Sequence, residues 1–88
     1  MNKIENLKMM NKIARSLNNS DYVYYWLAHG IPDGTTKDDF SYLVADYEEF
    51  ERVFIKTLQY ALKDGLFNVT DEELNFARQY QPNIKNVK

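Results

Sequence analysis

Few residues in this chain could carry out acid–base or metal chemistry. His29 is the only histidine, and there is no cysteine. A histidine one residue before the glycine that ends a helix more often stabilises the negative end of that helix than binds a metal, and no second histidine or cysteine is present to complete a zinc site. Catalysis by His29 with Asp33 would also need a nucleophile, and the sequence nominates none. The sequence therefore predicts a protein that is not an enzyme and uses no cofactor or metal.

Residues 33–38 read DGTTKD, which invites comparison with a calcium-binding loop. An EF-hand loop has glycine in the sixth position and glutamate in the twelfth, whereas here glycine is second and Val44 is twelfth. An ordinary turn, followed by a helix cap at Thr36, explains the segment better. We therefore predict no calcium site.

Acidic residues are concentrated in the middle of the chain. Residues 21–51 contain eight carboxylates and one lysine, a net charge of −7, whereas the whole chain has a net charge of −2. Adjacent carboxylates can act as acid–base pairs, but such runs more often form a solvated face, and Glu48 and Arg52 have the spacing of a surface ion pair. We expect an acidic face that binds a partner and consists of Asp38, Asp39, Asp46, Glu48, Glu49 and Glu51.

The stretch from Asp46 to Leu66 is expected to position these carboxylates. Asp46 and Glu49 have the spacing of a capping box, and Gly65 followed by Leu66 is typical of a helix end, so we predict a long helix over residues 47–64. The apolar residues of this helix recur at the helical period and are expected to face the core: Tyr47, Phe50, Phe54, Leu58, Ala61 and Leu62.

A first helix is predicted over residues 2–18, with Lys8, Lys12 and Arg15 on its polar side. These cations could contact phosphate, but three charges make a small electrostatic footprint in an acidic chain. The opposite, apolar side is expected to pack in the core and consists of Leu7, Met10, Ile13, Ala14 and Leu17.

Two shorter helices are predicted on either side of the long one. One is expected over residues 37–45, with Phe40, Leu43 and Val44 facing inward. The last helix is expected to begin after Thr70, where Thr70 and Glu73 have capping-box spacing and Val69 can pack on Leu74. Pro82 is expected to end this helix.

The run YVYYWLA at residues 22–28 permits two predictions. Its β-branched and aromatic residues favour a strand, whereas Gly30 followed by Pro32 is typical of a helix end. We predict a helix over residues 21–29, because the end signals are positional and propensity is a weaker guide. A helix that is apolar on every side is either buried all round or binds a partner on one side. The residues expected to meet a partner are Tyr22, Tyr24, Tyr25 and Trp26.

Residues 13–32 contain an IARSL helix, a turn that contains Ser20, and a second helix that contains Trp26 and ends before Gly30. This arrangement resembles the helix-turn-helix of phage-repressor-type regulators. It implies a DNA-binding transcriptional regulator in which the second helix reads bases. That helix, however, offers aromatic residues and Asp21 where arginine, lysine, asparagine and glutamine normally read bases. DNA binding is therefore kept as the alternative.

We predict the all-α class: a small compact bundle of four to five helices around a long central helix. A single helical domain is placed at residues 1–82 and a flexible tail at 83–88. The predicted function is a small non-enzymatic protein-binding module, such as an acidic inhibitor or regulator. Size and charge pattern are similar to those of phage and mobile-element inhibitors of restriction or CRISPR enzymes, which implies nucleic-acid mimicry and a basic nucleic-acid-binding protein as partner. A homodimer is compatible with either function.

The chain contains no run of 18 apolar residues and no apolar segment of signal-peptide type near its first residue. We therefore predict a cytoplasmic protein with no membrane association.

Overall fold

A computed structural model describes residues 2–17, 20–32, 40–63 and 69–80. Regular structure in these ranges is entirely helical, and no strand occurs in them. The elements are α1 (Lys3–Ser16), α2 (Ser20–His29), a 3-10 helix (Phe40–Asp46), α3 (Tyr47–Lys63) and α4 (Asp71–Ala77). The all-α prediction is therefore confirmed for the described part of the chain, and the tyrosine–tryptophan run is helical.

α1 begins at an N-terminal cap, Asn2, that was not predicted from the sequence. Asn2 has an extended backbone, and its side-chain oxygen accepts a hydrogen bond from the Glu5 N–H at 2.8 Å. This bond satisfies one of the donors that every helix start leaves free. The apolar side of α1 is buried as predicted, through Leu7, Met10, Ile13, Ala14 and Leu17.

α3 follows directly from the 3-10 helix, so the chain is continuously helical from Phe40 to Lys63. The predicted capping box at the start of α3 is wrong, because Asp46 is the last residue of the 3-10 helix and Glu49 pairs with Arg52. The preceding helical turn can supply carbonyl acceptors where a cap would otherwise be needed. The predicted end of the helix near Gly65 lies outside the described residues.

Where its side chains are described, the inner side of α3 is apolar except at Thr57. Five of the six predicted core positions are buried, and the side chain of Leu62 lies outside the described part of the structure. The buried polar residue Thr57 needs no outside partner, because its hydroxyl donates to the Val53 carbonyl at 2.8 Å. The core side chains of α3 are Tyr47, Phe50, Val53, Phe54, Thr57, Leu58 and Ala61.

α4 begins at the capping box that the sequence predicts. The Glu73 carboxylate accepts from the Thr70 N–H at 2.9 Å, and the Thr70 hydroxyl accepts from the Glu73 N–H at 3.1 Å. The helix is shorter than predicted and ends at Ala77. Hydrogen bonds of the tighter i to i−3 type, including Tyr80 N–H to the Ala77 carbonyl at 3.0 Å, form the turn that follows.

The helices share one core. α3 packs against α1, α2 and the 3-10 helix, and α4 contacts α1. The rings of Trp26, Phe54, Phe76 and Tyr80 connect α2, α3 and the segment around α4, with centroids 5.6–6.2 Å apart. The radius of gyration is 12.1 Å, equal to the value of about 12 Å expected for a compact domain of this length.

Candidate functional site

The described carboxylates of the predicted acidic face differ in their solvent exposure and in their ion pairing. Asp46 and Glu48 are exposed, whereas Glu49 pairs with Arg52. Glu51 is half-buried and lies beside the Tyr80 hydroxyl. Asp38 and Asp39 lie outside the described residues. Of the carboxylates that the structure describes in this face, Asp46 and Glu48 are therefore the most open to a partner.

These two carboxylates line a polar groove at the start of α3. The groove has a volume of about 430 Å³, and its lining also includes Lys3 and Arg52. Lys3 lies over the Tyr47 ring, with its nitrogen 5.4 Å from the ring centroid. The acidic face is thus bordered by cations, which reduces its negative field.

The aromatic residues of α2 are divided between surface and core. Tyr24 is 72% exposed and Leu27 is 38% exposed, whereas Trp26 has no exposed surface. Tyr25 is half-buried, and the side chain of Tyr22 lies outside the described part of the structure. Trp26 was expected at a partner surface, but it lies in the core and does not form part of that surface.

Trp26 holds α2 against α1 and α3. Its indole N–H donates to the Asn11 side-chain oxygen at 2.9 Å, and its ring meets the Phe54 ring edge-on at 6.0 Å. Gly30 lies so close that a Cβ built there would be 2.6 Å from the indole. The φ of Gly30 lies outside the left-handed region, so the backbone conformation does not require glycine here. Glycine is required because a side chain would collide with Trp26.

A second aromatic cluster joins α2 to α3. The Tyr25 ring centroid is 4.8 Å from that of His29 and 5.4 Å from that of Tyr60. The Lys56 nitrogen is 5.7 Å from the Tyr60 centroid, and Tyr60 is 41% exposed. The only histidine thus contacts an aromatic ring at the end of α2.

A groove of about 360 Å³ runs beside this cluster. Tyr25 of α2 forms one wall, and α3 forms the other side and the floor with Glu49, Arg52, Val53, Ile55, Lys56 and Gln59. We refer to it as the α2–α3 groove. This groove was not predicted, because the helical period identifies only the buried side of α3, although Lys56 and Tyr60, one turn apart, were a signal of a second, mixed surface.

A hydrogen-bonded tyrosine pair joins α1, α3 and the turn that follows α4. The Tyr47 hydroxyl accepts from the Asn6 side-chain amide at 2.9 Å and lies 3.3 Å from the Tyr80 hydroxyl. Burial, together with hydrogen bonding to Tyr47 and Glu51, raises the pKa of Tyr80 far above its ordinary value. Tyr80 therefore stays protonated near neutral pH, and the pair links α1, α3 and the turn after α4.

The cations of α1 lie on its outer side. Lys12 and Arg15 are exposed, and Lys12 approaches the buried Glu73 carboxylate at 3.9 Å. Lys8 is half-buried with its nitrogen 5.9 Å from the Phe40 centroid. In the helix-turn-helix interpretation, α2 would read bases, and its exposed side chains include Tyr24, Leu27 and His29. Residues 18–19 of the turn lie outside the described part of the chain.

Within the described ranges, no three His, Cys, Asp or Glu side chains are grouped so that they could hold a metal. None of the helices described there has the length and apolar character needed to cross a membrane. The sequence matches no protein-family model, and comparison with curated proteins and with solved structures gives no significant match.

Proposed function

We propose that this chain is a non-enzymatic protein-binding module and that the outer side of α2 meets the partner. The observation that carries the proposal is the division of α2 into a buried and an exposed apolar side. Trp26 has no exposed surface, whereas Tyr24 is 72% exposed and Leu27, one turn along, is 38% exposed. The helix is thus already anchored to the core and does not need its outer aromatic side chain for folding.

Neighbouring apolar side chains on a surface favour protein binding. Single exposed apolar residues are common, but Tyr24 and Leu27 are spaced i, i+3 and lie next to each other on one side of α2. Tyrosine is enriched at interfaces because its ring buries a large area while its hydroxyl keeps a hydrogen-bond partner. A rigid ring on an anchored helix also loses little conformational entropy on binding.

Capture from a lysate of cells that encode the chain, read by mass spectrometry, tests this proposal. The bait is compared with a double variant, Tyr24→Ser with Leu27→Ser, and with the control Tyr42→Ser, which alters a tyrosine that is 61% exposed on the 3-10 helix. We expect the wild type and the control to retain one specific protein and the double variant to lose it. Equal recovery by all three baits, or recovery by none, would count against the proposal.

A narrower version of the proposal is that the module is an acidic inhibitor that imitates nucleic-acid phosphates in a basic partner. Its support is the acidic middle of the sequence and the exposure of Asp46 and Glu48. Changing Asp46 and Glu48 to lysine should abolish partner binding while the helical circular dichroism is preserved. Binding that survives both changes would eliminate the mimicry version and leave the aromatic surface.

The alternative proposal is DNA binding through residues 13–32. The exposure of Lys12 and Arg15 on α1, which packs against α2, favours it. It predicts a shift of duplex DNA at physiological salt that is lost on changing both cations to glutamine. The absence of a shift for the wild type would remove this alternative.

As part of the same proposal, α3 is the centre of a bundle. It is the longest described helix, and it packs against α1, α2 and the 3-10 helix. Amide exchange that is slowest along α3 would support its central place.

We also propose that the module acts in the cytoplasm. The support is that a chain without cysteine has no disulfide that would require an oxidising compartment.

A further inference from the structure

We infer that the α2–α3 groove binds an acidic segment of the partner protein, in which an apolar side chain is followed closely by a carboxylate. This inference rests on the proposed protein-binding function and names the chemistry of what is bound. The groove lies beside the aromatic cluster of Tyr25, Tyr60 and His29, and its volume is about 360 Å³.

The floor and wall of the groove suit an apolar side chain. Val53 is 5% exposed at the floor, Ile55 is half-buried at one side, and the Tyr25 ring forms the wall. Contact with Tyr60 and His29 restrains the Tyr25 ring, so the wall is formed before a ligand arrives. A preformed wall lowers the entropy cost of binding.

The charges at the rim favour carboxylates over cations in the bound segment. Arg52 and Lys56 lie one turn apart on the outer side of α3, and Glu49 is the one carboxylate among the groove residues named above. Their sum is one net positive charge, opposite in sign to the net charge of −2 of the whole chain. A carboxylate seated above the groove meets Lys56, whereas a basic segment would be repelled by it.

Arg52 can exchange its partner at little cost. Its pair with Glu49 lies at the surface, where the side chains are 74% and 55% exposed. Surface pairs of this kind contribute little to stability, so a ligand carboxylate that offers better geometry can take the guanidinium. The groove therefore presents two cations to an acidic segment.

Single-stranded nucleic acid also binds to cations and aromatic rings, but the groove suits it less well. Stacking of bases requires open ring faces, whereas Lys56 lies over the Tyr60 ring and His29 contacts Tyr25. The chemistry therefore points to a peptide.

Selection from a random library of 12-residue peptides displayed on phage tests this inference. The α3 residues from Glu49 to Tyr60 cover about 16 Å at 1.5 Å per residue, so 12 residues can follow the groove as a helix or in extended form. We expect the enriched peptides to contain aspartate or glutamate close to an aromatic or aliphatic residue. Enrichment of basic peptides, or of none, would overturn the inference.

The synthetic form of an enriched peptide is then titrated by fluorescence anisotropy. Lys56→Glu should weaken binding at least about tenfold, which corresponds to one charge-assisted contact, and Lys56→Gln should have a smaller effect of the same sign. Lys12→Gln is the matched control for Lys56→Gln, since it removes the same charge from a side chain that is 71% exposed on α1. It should change the affinity less than about twofold.

Two results would show that the groove inference is wrong without contradicting the protein-binding proposal or by pointing to another ligand. If the peptides tolerate Lys56→Glu but are lost with Tyr24→Ser, the groove inference is wrong and the protein-binding proposal stands. If a labelled 12-nucleotide single strand of DNA binds and is lost with Lys56→Glu, the groove binds nucleic acid and the inference is wrong. Circular dichroism of each variant confirms that loss of binding is not loss of fold.

Discussion

Substitution of Gly30 by alanine tests whether Trp26 anchors α2. A Cβ at position 30 would be 2.6 Å from both Cδ2 and Cε3 of the Trp26 ring and 2.7 Å from the Trp26 carbonyl oxygen. Ordinary van der Waals contact begins near 3.4 Å, so the indole or the backbone must move by about 0.8 Å, the difference between those distances. The indole cannot move freely, because Asn11 holds its N–H and Phe54 packs on its ring.

The expected loss of unfolding free energy has two contributions, overpacking and the loss of a hydrogen bond. Overpacking of a core costs about 1–3 kcal/mol, and loss of the indole hydrogen bond adds about 1 kcal/mol. We therefore expect Gly30→Ala to lower the free energy of unfolding by about 2–4 kcal/mol, equivalent to a Tm lower by about 10–30 °C for a domain of this size. If there were space at position 30, the same substitution would instead stabilise the fold by about 0.4–1 kcal/mol through the unfolded chain.

Urea unfolding followed by fluorescence measures this directly, because Trp26 is the only tryptophan. The wild type should emit at short wavelength from its buried indole, and the variant should unfold at lower urea with an emission maximum moved to longer wavelength. Asn11→Ala, which removes only the hydrogen bond, should cost about 1 kcal/mol and serves as a reference. A variant as stable as the wild type, or more stable, would show that Gly30 has no packing role.

Three smaller perturbations test other contacts. Thr70→Ala should lower the unfolding free energy by about 1 kcal/mol in urea titrations, because it removes the cap of α4 and one partner of Glu73, and a change below about 0.3 kcal/mol would contradict the cap. Lys12→Met should change stability by less than about 0.5 kcal/mol in the same assay, because the Lys12 side chain is 71% exposed and lies 3.9 Å from Glu73; a larger loss would show that the ion pair matters. The raised pKa of Tyr80 favours its protonated form in the folded state, so this contribution to stability is complete below pH about 10 and is lost as the pH rises above it. Tyr80→Phe should therefore reduce the fall in Tm between pH 9 and pH 11, and an unchanged fall would assign the alkaline sensitivity to other groups.

Patterns that depend on neighbours in the sequence predicted much of the fold. The helical period identified the buried side of α1, and the spacing of Thr70 and Glu73 identified the start of α4. Both depend on contacts within one helix, and the residues that make such contacts can be identified from their spacing in the sequence. The capping box at Asp46 failed because the chain before it is also helical, and helix termination depends on how the preceding segment packs.

The candidate site was harder to predict because it depends on which side of each helix is covered. α2 is apolar on every side, so its sequence could not show that Trp26 faces inward while Tyr24 faces solvent. The pairing of Trp26 with Asn11 and of Tyr25 with Tyr60 joins residues far apart in the chain. Only the packed helices bring these side chains together and form the α2–α3 groove between them.

The most direct test of the protein-binding account is the change in affinity for the captured partner when Tyr24 alone is shortened to alanine. Titration calorimetry with the purified partner should give a loss of about 2 kcal/mol or more, about 30-fold in Kd, as for an aromatic side chain at the centre of an interface. Tyr42→Ala, which shortens another exposed ring, should stay within about 0.5 kcal/mol of the wild type. If Tyr24→Ala binds as tightly as the wild type, the outer side of α2 is not the binding surface.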